Sequence, residues 1–362
     1  MKKLALILSI LVTGSSILAG CSAAPQKTAE TKSAQTETKA ETKSEAKSET
    51  KAVKTVVLNA ATNNPKTSGH YKGLEIFKAL VEERTDGVVQ VELYSDAVLG
   101  DEEQMAEGMQ MGTVDVMMAA SAKYANFVPE MDIYSPPYTF KSWDHMLAVV
   151  DSDVNDKIAK AVKERRGDIY LGVFTDGVRN VFTKKPVNNL DDIKGLKLRT
   201  MTGPNETNSW KALGANPTPL AYTELYAALE SGVVDGAENS MAAILNMKFY
   251  ESCKYVYRTQ HNYLTLPFFI SAKAVEKIPA DLRDVVIQAG MDTCKEQISW
   301  AIESDKKAQE TLVKEHGVTI VEMTKEDHER ALELCNAAQN ENAERIQMKD
   351  DLAKIREIGK DY

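Results

Sequence analysis

The sequence contains few of the residues that build metal and redox sites, with four cysteines and five histidines among 362 residues. The histidines are scattered, and no HxxxH or HExxH spacing occurs among His70, His145, His261, His316 and His328. Metal chemistry therefore has no support, and we predict that the protein binds no metal ion and uses no cofactor. Each histidine is expected to be a surface or capping residue.

Catalytic signatures are missing as well, since the sequence has no GxSxG nucleophile elbow, no P-loop and no GxGxxG run. We therefore predict that the protein is not an enzyme. An extracellular hydrolase with a diffuse acid–base site would escape a search for motifs and stays open as an alternative.

The cysteines after residue 21 give no redox or zinc pattern. Cys253, Cys294 and Cys335 are widely spaced and form no CxxC pair. An exported chain with this odd number has either one disulfide and one free thiol or three buried thiols, and both alternatives remain open.

Long hydrophobic runs are also absent, because the apolar stretch 4–12 is far shorter than the about 20 residues that cross a bilayer. Lys2 and Lys3 precede it and Leu18-Ala-Gly-Cys21 follows, an order typical of an export signal. The ending resembles the bacterial lipobox, whose cysteine receives a diacylglyceryl group. We predict a lipoprotein signal peptide at 1–21, lipidation at Cys21, and attachment to the extracytoplasmic face of the cell membrane, in the periplasm or at the cell surface. An ordinary cleaved signal is the alternative.

Residues 22–53 contain almost no apolar bulk. They consist of Lys, Glu, Thr, Ser, Ala and Gln, with the near-repeats AETK, TETK, AETK and SETK. Such a composition cannot form a packed core, so we predict a disordered tether.

The chain is acidic, with a formal net charge of −9. This charge argues against nucleic acid or anionic lipid as a partner, so we predict no nucleic-acid binding and membrane contact through the lipid anchor only. An anionic ligand would have to be held by local positive groups, because the overall field repels it.

The remaining residues, 54–362, are sufficient for two domains. Their first part alternates strand and helix patterns, with strand 54–59, helix 73–84, strand 88–94, helix 102–111 ended by Gly112, and strand 114–118. This β-α-β-α-β order predicts an α/β layer architecture.

Residues 144–165 are predicted to be helical, and strand 169–174 leads from them to Arg179. A second unit then follows, with predicted strand 195–199, helix 205–213, and helix 223–231 closed by Gly232. Two α/β lobes are therefore expected. Residues 281–316 lack proline and repeat apolar residues at helical spacing, which predicts a helix about 50 Å long that braces both lobes.

Two arginines lie near predicted strand ends. Arg179 follows strand 169–174, and Arg199 ends strand 195–199. Ligands of open α/β sheets bind outside the carboxyl ends of strands. A guanidinium can donate two hydrogen bonds to one carboxylate, which makes both residues candidate carboxylate ligands. For either one taken alone, a surface ion pair is the alternative.

A long motif carries a family resemblance. The segment LGANPTPLAYTELYAALESGVVDGAEN at 213–239, preceded by GLKLR at 195–199, resembles the solute-binding subunit of tripartite ATP-independent periplasmic (TRAP) transporters of the DctP type. LGDE at 99–102, ANFVPE at 125–130 and KFYE at 248–251 extend the likeness in family order.

The resemblance implies a two-lobe periplasmic-binding-protein-like α/β fold with a hinge and a long helix bracing both lobes. It implies lobe I at 54–176 plus 265–304 and lobe II at 177–264 plus 305–362. The ligand would be a small carboxylate, captured outside the cytoplasm and delivered to an ion-gradient-driven TRAP permease. A sensor lipoprotein that reports to a receptor kinase is the alternative.

The resemblance also implies site residues. Arg199 would clamp the ligand carboxylate, Arg179 would assist, and Asn239 would donate its amide to the same group. Tyr222 matches a pocket aromatic, with a core residue as the alternative. Asn63 and Glu102 match positions at the variable end of the ligand, although Asn63 could instead cap a loop and Glu102 a helix N-terminus.

Two departures from the family pattern affect these expectations. Ser240 stands where the family usually has proline, which leaves the local backbone less constrained. Ala120 stands where the sialic-acid-binding branch has glutamate, so sialic acid is discounted. A C4-dicarboxylate and a uronate-like sugar acid both remain possible ligands.

Overall fold

The computed structural model describes residues 55–362, so the predicted signal peptide, Cys21 and the whole predicted tether lie outside the described residues. Two β-sheets organise this part of the chain. Their strands, in chain order, are β1 (Val56–Ala61), β2 (Val89–Tyr94), β3 (Val116–Met118), β4 (Ile169–Phe174), β5 (Val178–Thr183), β6 (Lys197–Thr200), β7 (Asn216–Pro219), β8 (Gly236–Asn239), β9 (Tyr255–Tyr263), β10 (Leu266–Ile270) and β11 (Thr319–Glu322).

Helices cover the sheets and connect their strands. They are α1 (Gly69–Arg84), α2 (Glu102–Met111), α3 (Ser121–Tyr124), α4 (Trp143–Val150), α5 (Asp153–Arg166), α6 (Glu206–Ala212), α7 (Leu225–Ser231), α8 (Met241–Asn246), α9 (Ala272–Lys277), α10 (Arg283–Lys314), α11 (Lys325–Arg345) and α12 (Lys349–Ile358). Short 3₁₀ helices lie at Pro129–Tyr134, Leu190–Ile193, Tyr222–Glu224, Phe249–Glu251 and Gly359–Asp361.

The first sheet has the strand order β2-β1-β3-β10-β4. β1 is parallel to β2 and β3, whereas β10 is antiparallel to β3 and β4. The carboxyl ends of β1, β3 and β4 therefore share one edge with the amino end of β10. Phe174 and Phe268 stack beneath this sheet with ring centroids 4.3 Å apart, in a core that also includes Leu58 and Phe77.

The second sheet has the strand order β11-β9-β5-β8-β6-β7. β5 is antiparallel to β8 and β9, and β6 is parallel to β7 and β8. As a result, the carboxyl ends of β6 and β8 share an edge with the amino end of β5. Phe182 and Phe249 stack in the core beneath it, with centroids 5.5 Å apart.

Helix α10, with 32 residues, contributes to the cores of both sheets. Val286 and Ala289 in its first half belong to the core of the first sheet, and Ala308 and Leu312 in its last turns belong to the core of the second. The prediction of two α/β lobes with a long helix across both is confirmed.

Most predicted elements are present within a few residues of their expected bounds. The segment 144–165 is the clearest exception, because it forms two helices, α4 and α5, separated at Asp151 and Ser152. The hydroxyl of Ser152 accepts a hydrogen bond from the backbone N–H of Val154 at 3.3 Å and caps α5. This local cap begins a new helix where the apolar spacing alone predicted one continuous helix.

The predicted lobe boundaries stay a prediction. The chain passes from the first sheet to the second between β4 and β5 and returns between β9 and β10. Helix α12, in the segment predicted to belong to the second lobe, packs on the first-lobe helices α4 and α5, where Leu352 and Ile355 join the core that contains Met146 and Val154.

The cysteine alternatives are resolved by burial. Cys253, Cys294 and Cys335 are free and buried, so the body has three buried thiols and no disulfide among its described residues. Burial raises the pKa of all three thiols. Each is therefore a protonated, unreactive group that fills space in the core.

The expectation for the histidines is wrong in part. His70, His145 and His261 are buried, whereas His328 is exposed.

Within residues 55–362, no helix is both long and apolar enough to cross a membrane. The same residues contain no cluster of three or more His, Cys, Asp or Glu side chains placed to hold a metal ion.

Replacement of Gly73 by Ala should lower the free energy of unfolding by about 1–3 kcal/mol, because the interior has no room for the methyl group. A Cβ at Gly73 would lie 2.3 Å from Cε2 of Phe174, whose ring is fixed by its stacking on Phe268. The clash outweighs the about 1 kcal/mol that alanine ordinarily adds to the stability of a helix relative to glycine.

Urea denaturation followed by circular dichroism measures the change in the free energy of unfolding. The control Ser299→Ala, on the exposed face of α10, should shift stability by less than about 0.5 kcal/mol. A Gly73→Ala protein as stable as wild type would contradict this account.

Candidate functional site

A cavity lies where the two sheet edges face each other. Residues that follow β1, β3 and β4 line it from the first sheet, and residues at the start of β5 and the ends of β6 and β8 line it from the second. This is the place where open α/β sheets bind ligands, outside the carboxyl ends of their strands. Both sheets must contribute for the cavity to exist.

The wall of the cavity is rich in charged and polar groups. The lining residues are Asn64, His70, Glu102, Ala120, Lys123, Asp176, Arg179, Arg199, Met201, Tyr222, Asn239, Leu264 and Leu266. Five of the six predicted ligand-binding residues are among them. Asn63 is not.

Arg199 is a buried charge without a counter-ion. It lies in β6 and is 1% exposed. Its Nε and Nη2 atoms donate to the carbonyl oxygen of Leu220 at 3.1 and 2.8 Å. Among the described residues, no carboxylate lies within 4.0 Å of its guanidinium. Burial removes water from the charged guanidinium, and this desolvation lowers the Arg199 pKa. A buried guanidinium without a carboxylate partner is a candidate site for an anion.

Arg179 is buried too, but its guanidinium is already paired. Nη2 donates to Oε1 of Glu238 at 2.7 Å and to the carbonyl oxygen of Glu238 at 2.8 Å, and Nε also donates to the Glu238 carboxylate. Burial opposes the charge of Arg179, yet Glu238 outweighs this effect and raises the Arg179 pKa. Arg179 lies in β5, a strand that was not among the elements predicted from the sequence.

The Arg179 side chain also orients Asn239, at the end of β8. Arg179 Nη1 donates to Oδ1 of Asn239 at 3.0 Å, and the backbone N–H of Ser240 donates to the same oxygen at 2.9 Å. Because the oxygen is engaged twice, the amide Nδ2 of Asn239 is the group left to donate into the cavity. A second buried contact supports this arrangement, since His261 Nε2 lies 3.2 Å from Glu238 Oε2.

Tyr222 forms part of the cavity wall beside Arg199. The guanidinium carbon of Arg199 lies 5.8 Å from the centroid of the Tyr222 ring, within the range of a cation–π contact. The Tyr222 ring also packs edge-on against Phe249, with ring centroids 5.9 Å apart. Tyr222 therefore belongs to the core of the second lobe and to the cavity at once.

The first-sheet wall differs from the prediction at one residue. Asn63 lies outside the cavity, in a surface pocket with Asp96, Tyr226 and Lys248, and its neighbour Asn64 lines the cavity instead. Asn63 and Asn64 are adjacent in the bend that follows β1, and a shift of one position there decides which side chain lines the cavity.

Glu102 reaches the cavity, but its carboxylate is engaged. It forms a buried ion pair with Lys123 and accepts a hydrogen bond from the backbone N–H of Ala120 at 2.9 Å. Burial opposes its ionisation, and the Lys123 charge outweighs this and lowers the Glu102 pKa. As the first residue of α2, Glu102 also contributes to that helix N-terminus.

Two carboxyl groups, the buried Asp176 and the half-buried Asp305, lie at the crossing between the lobes. Asp176, between β4 and β5, lines the cavity. Asp305 of α10 accepts a hydrogen bond from the backbone N–H of Ala242 at 2.9 Å. Burial and then the neighbouring Asp305 raise the Asp176 pKa to about 7. Burial raises the Asp305 pKa to about 6.

Several site residues were missed at the level of sequence. Glu238 lies inside the DGAEN motif, where only its asparagine was singled out, and Asp176 stands in the segment that contains Arg179. Asn64, His70 and Lys123 carried no motif, and His70 was expected to be a surface or capping residue. Only their position beyond the strands β1 and β3 places them in the cavity.

Comparisons with known proteins agree with this geometry. The sequence model of the family described as DctP, bacterial extracellular solute-binding protein, family 7, matches residues 60–345. A solute-binding protein of Sulfitobacter sp. (strain NAS-14.1) is 31% identical over 301 residues, which cover 83% of this chain and 91% of the relative.

Solved structures show the same architecture. A TRAP periplasmic solute-binding protein from Sulfitobacter sp. NAS-14.1 with bound α-D-taluronate is 30% identical, with a TM-score of 0.79, and the match covers 84% of this chain and 98% of that one. A TRAP periplasmic solute-binding protein from Sulfurospirillum deleyianum DSM 6946 with bound succinate is 26% identical, with a TM-score of 0.79, and the match covers 84% and 99%.

The buried Asp176 should make stability depend on pH. Its pKa is raised from 3.8 to about 7, so the folded state retains a proton that the unfolded chain releases as pH rises above about 4. The Asp176→Asn variant should therefore gain stability relative to wild type between pH 4 and 7, by on the order of 1–4 kcal/mol, with no further gain above pH 7.

Ligand-free protein denatured by urea at a series of pH values measures this difference. Asp281→Asn changes an exposed carboxyl group and serves as the matched control, with a difference from wild type that should stay constant over the same range. A constant difference between Asp176→Asn and wild type would contradict the raised pKa.

Proposed function

Because the chain belongs to the DctP family of bacterial extracellular solute-binding proteins, family 7, we propose that it captures a small organic acid and delivers it to a TRAP permease. Membership of this family puts the protein outside the cytoplasm and makes it the solute-binding component of a transporter. On this proposal the protein binds its ligand without altering it chemically, so it is not an enzyme.

The observation that carries the proposal is the unpaired guanidinium of Arg199. A buried charge without a counter-ion is unfavourable, and a ligand carboxylate would relieve that cost by pairing with it. The carbonyl oxygen of Leu220 accepts hydrogen bonds from Nε and Nη2 of Arg199. Nη1 and the second N–H of Nη2 are therefore left to donate to the ligand. The Asn239 amide is a second donor for the same carboxylate.

Arg179 has a supporting role in this proposal. Its charge is balanced by Glu238, so it contributes little net attraction for an anion. What it supplies is orientation, because its Nη1 fixes the Asn239 amide with the N–H groups toward the cavity. The clamp thus consists of one free charge, one oriented amide and the Tyr222 ring beside them.

Ligand capture is proposed to couple to closure of the lobes. Arg199 and Asn239 belong to the second sheet, whereas Asn64, His70 and Glu102 extend from the first. A ligand that contacts both walls binds the closed arrangement better than any open one and shifts the population toward it. Closure removes water and strengthens the pairing of the carboxylate with Arg199.

The ligand class rests on the chemistry of the cavity and on the relatives. One structural relative holds α-D-taluronate, a sugar acid, and another holds succinate, a C4-dicarboxylate. Both compounds present at least one carboxylate, which is the group that Arg199 would bind. We propose a small organic acid of one of these two classes as the ligand of this protein.

The lipid anchor is part of the proposal as well. Cys21 would hold the protein at the outer face of the membrane, and residues 22–53 would let the body reach the permease. The driving force for transport would be an ion gradient across the membrane.

Substitution of Arg199 by Ala should weaken ligand binding by at least about 100-fold, since the ligand carboxylate would be buried without its partner. Isothermal titration with D-galacturonate, D-glucuronate, D-galactonate and succinate measures the effect on whichever compound wild type binds. Arg199→Lys keeps the charge but loses the fork of donors, and should recover only part of the affinity.

The matched control is Arg258→Ala, which removes an arginine whose partner, Glu322, lies at the surface of the second lobe. Its affinity should equal that of wild type. Unchanged affinity in a correctly folded Arg199→Ala protein would refute the proposed clamp.

The variant Cys21→Ser should release the protein from membranes, because serine has no thiol to receive a diacylglyceryl group. Expression of the full chain in a bacterial host, labelling with radioactive palmitate and membrane fractionation provide the measurement. Label should enter wild type and the control Ser22→Ala but not Cys21→Ser. Equal labelling of all three proteins would exclude Cys21 as the anchor.

A further inference from the structure

We propose that Asn64 and His70 form a neutral pair that recognises a hydroxyl group of the ligand, so that the protein selects a polyhydroxylated monocarboxylate over a dicarboxylate. The inference rests on the proposed function, since it takes the ligand carboxylate to bind at Arg199. It gives a binding role to the wall of the cavity that faces Arg199 and belongs to the first sheet. It also favours a sugar acid over a C4-dicarboxylate as the ligand.

Asn64 is held in place before any ligand binds. Its backbone carbonyl oxygen accepts from the N–H of Asp96 at 2.9 Å, and its own N–H donates to the hydroxyl of Thr62 at 3.2 Å. Its Nδ2 donates to Oδ1 of Asn63 at 2.9 Å and approaches Nδ1 of His70 at 3.2 Å. Both amide protons are therefore engaged, and Oδ1 is the acceptor left for the cavity.

His70 supplies the complementary donor. Its Nδ1 accepts from the Asn64 amide, so the proton of the neutral ring is carried by Nε2, which has no hydrogen-bond partner among residues 55–362. The side chain is 5% exposed and lines the cavity. Burial lowers the His70 pKa to about 4, and the ring is therefore uncharged at neutral pH.

The conclusion does not depend on how the Asn64 amide is turned. In the opposite orientation its oxygen would accept from Nδ1–H of His70, and the cavity would meet the amide N–H and the bare Nε2. Either way the pair offers one donor and one acceptor, and neither carries a charge. A hydroxyl group both donates and accepts, and so it matches the pair, whereas a carboxylate can only accept.

The charges on the same wall also disfavour a second carboxylate. The ammonium group of Lys123 is paired with Glu102, both side chains being buried, so this wall carries no uncompensated cation among its described residues. Asp176 adds a carboxyl group that would repel an anion when ionised and accept from a hydroxyl in either state. The two walls thus have different preferences, an anion at Arg199 and hydroxyl groups opposite.

The test compares two ligand classes in wild type and in variants of the pair. Sugar acids (D-galactonate, D-galacturonate, D-glucuronate and D-erythronate) and succinate are titrated calorimetrically, and the tightest sugar acid is then compared with hexanoate, which lacks hydroxyl groups. Wild type should prefer the sugar acid to succinate by at least about 10-fold.

His70→Phe keeps a ring of similar size but offers no donor or acceptor. This variant should bind the sugar acid about 10- to 100-fold more weakly than wild type, while its affinities for hexanoate and succinate should stay within about 3-fold of wild type. The preference for the sugar acid over succinate would then be lost. His70→Gln retains one donor and one acceptor without charge and should restore much of the preference. His328→Phe, at an exposed position, is the matched control and should bind as wild type does.

Each result separates this inference from the proposed function. A preference for succinate, or a His70→Phe variant that loses all ligands equally, would overturn the hydroxyl-recognising pair while a loss of binding in Arg199→Ala still supported the clamp. Binding that survives Arg199→Ala, or binding of no member of either class, would overturn the clamp and with it the present inference.

Discussion

The functional argument depends on one unbalanced charge, the guanidinium of Arg199. Proteins rarely bury an arginine without a carboxylate, because desolvation of the ion costs several kcal/mol. The fold tolerates it here by giving two of its nitrogen atoms a carbonyl oxygen and by placing an aromatic ring beside it. These contacts are directional but neutral, and so they hold the group in position without cancelling its charge. The attraction for an anion is retained until the ligand arrives, and it acts against the repulsion from the acidic protein as a whole.

The contrast with Arg179 shows how the same residue type serves two purposes a short distance apart in one sheet. Glu238 neutralises Arg179, and His261 in turn supports Glu238, so this group is a rigid hydrogen-bonded unit that fixes Asn239. If Arg179 were also unpaired, the two positive charges would repel each other and the fold would be less stable. One buried wall can therefore contain both Arg179, whose charge is neutralised by Glu238 and which orients Asn239, and Arg199, whose charge has no partner and would attract an anion.

Much of this arrangement could be predicted from sequence. Apolar periodicity located α2, β4 and α10 closely, and the motif around 195–239 indicated Arg199, Asn239 and Tyr222. What sequence could not supply was the partner of each side chain. Glu238 was indistinguishable from a surface acid, and Asn63 and Asn64 are adjacent and chemically identical, so only the direction of the chain after β1 separates them. His70 had no motif because its role follows from contacts with a neighbour and not from spacing.

The position of α10 has a consequence for how the molecule unfolds. One helix contributes side chains to both cores, so neither lobe can lose its packing without also removing part of the surface on which the other is built. The two lobes are therefore thermodynamically coupled, and the body should behave as a single cooperative unit and not as two independently melting domains. The same continuity means that any relative motion of the lobes, including the proposed closure, is opposed by the bending stiffness of a helix that both cores share.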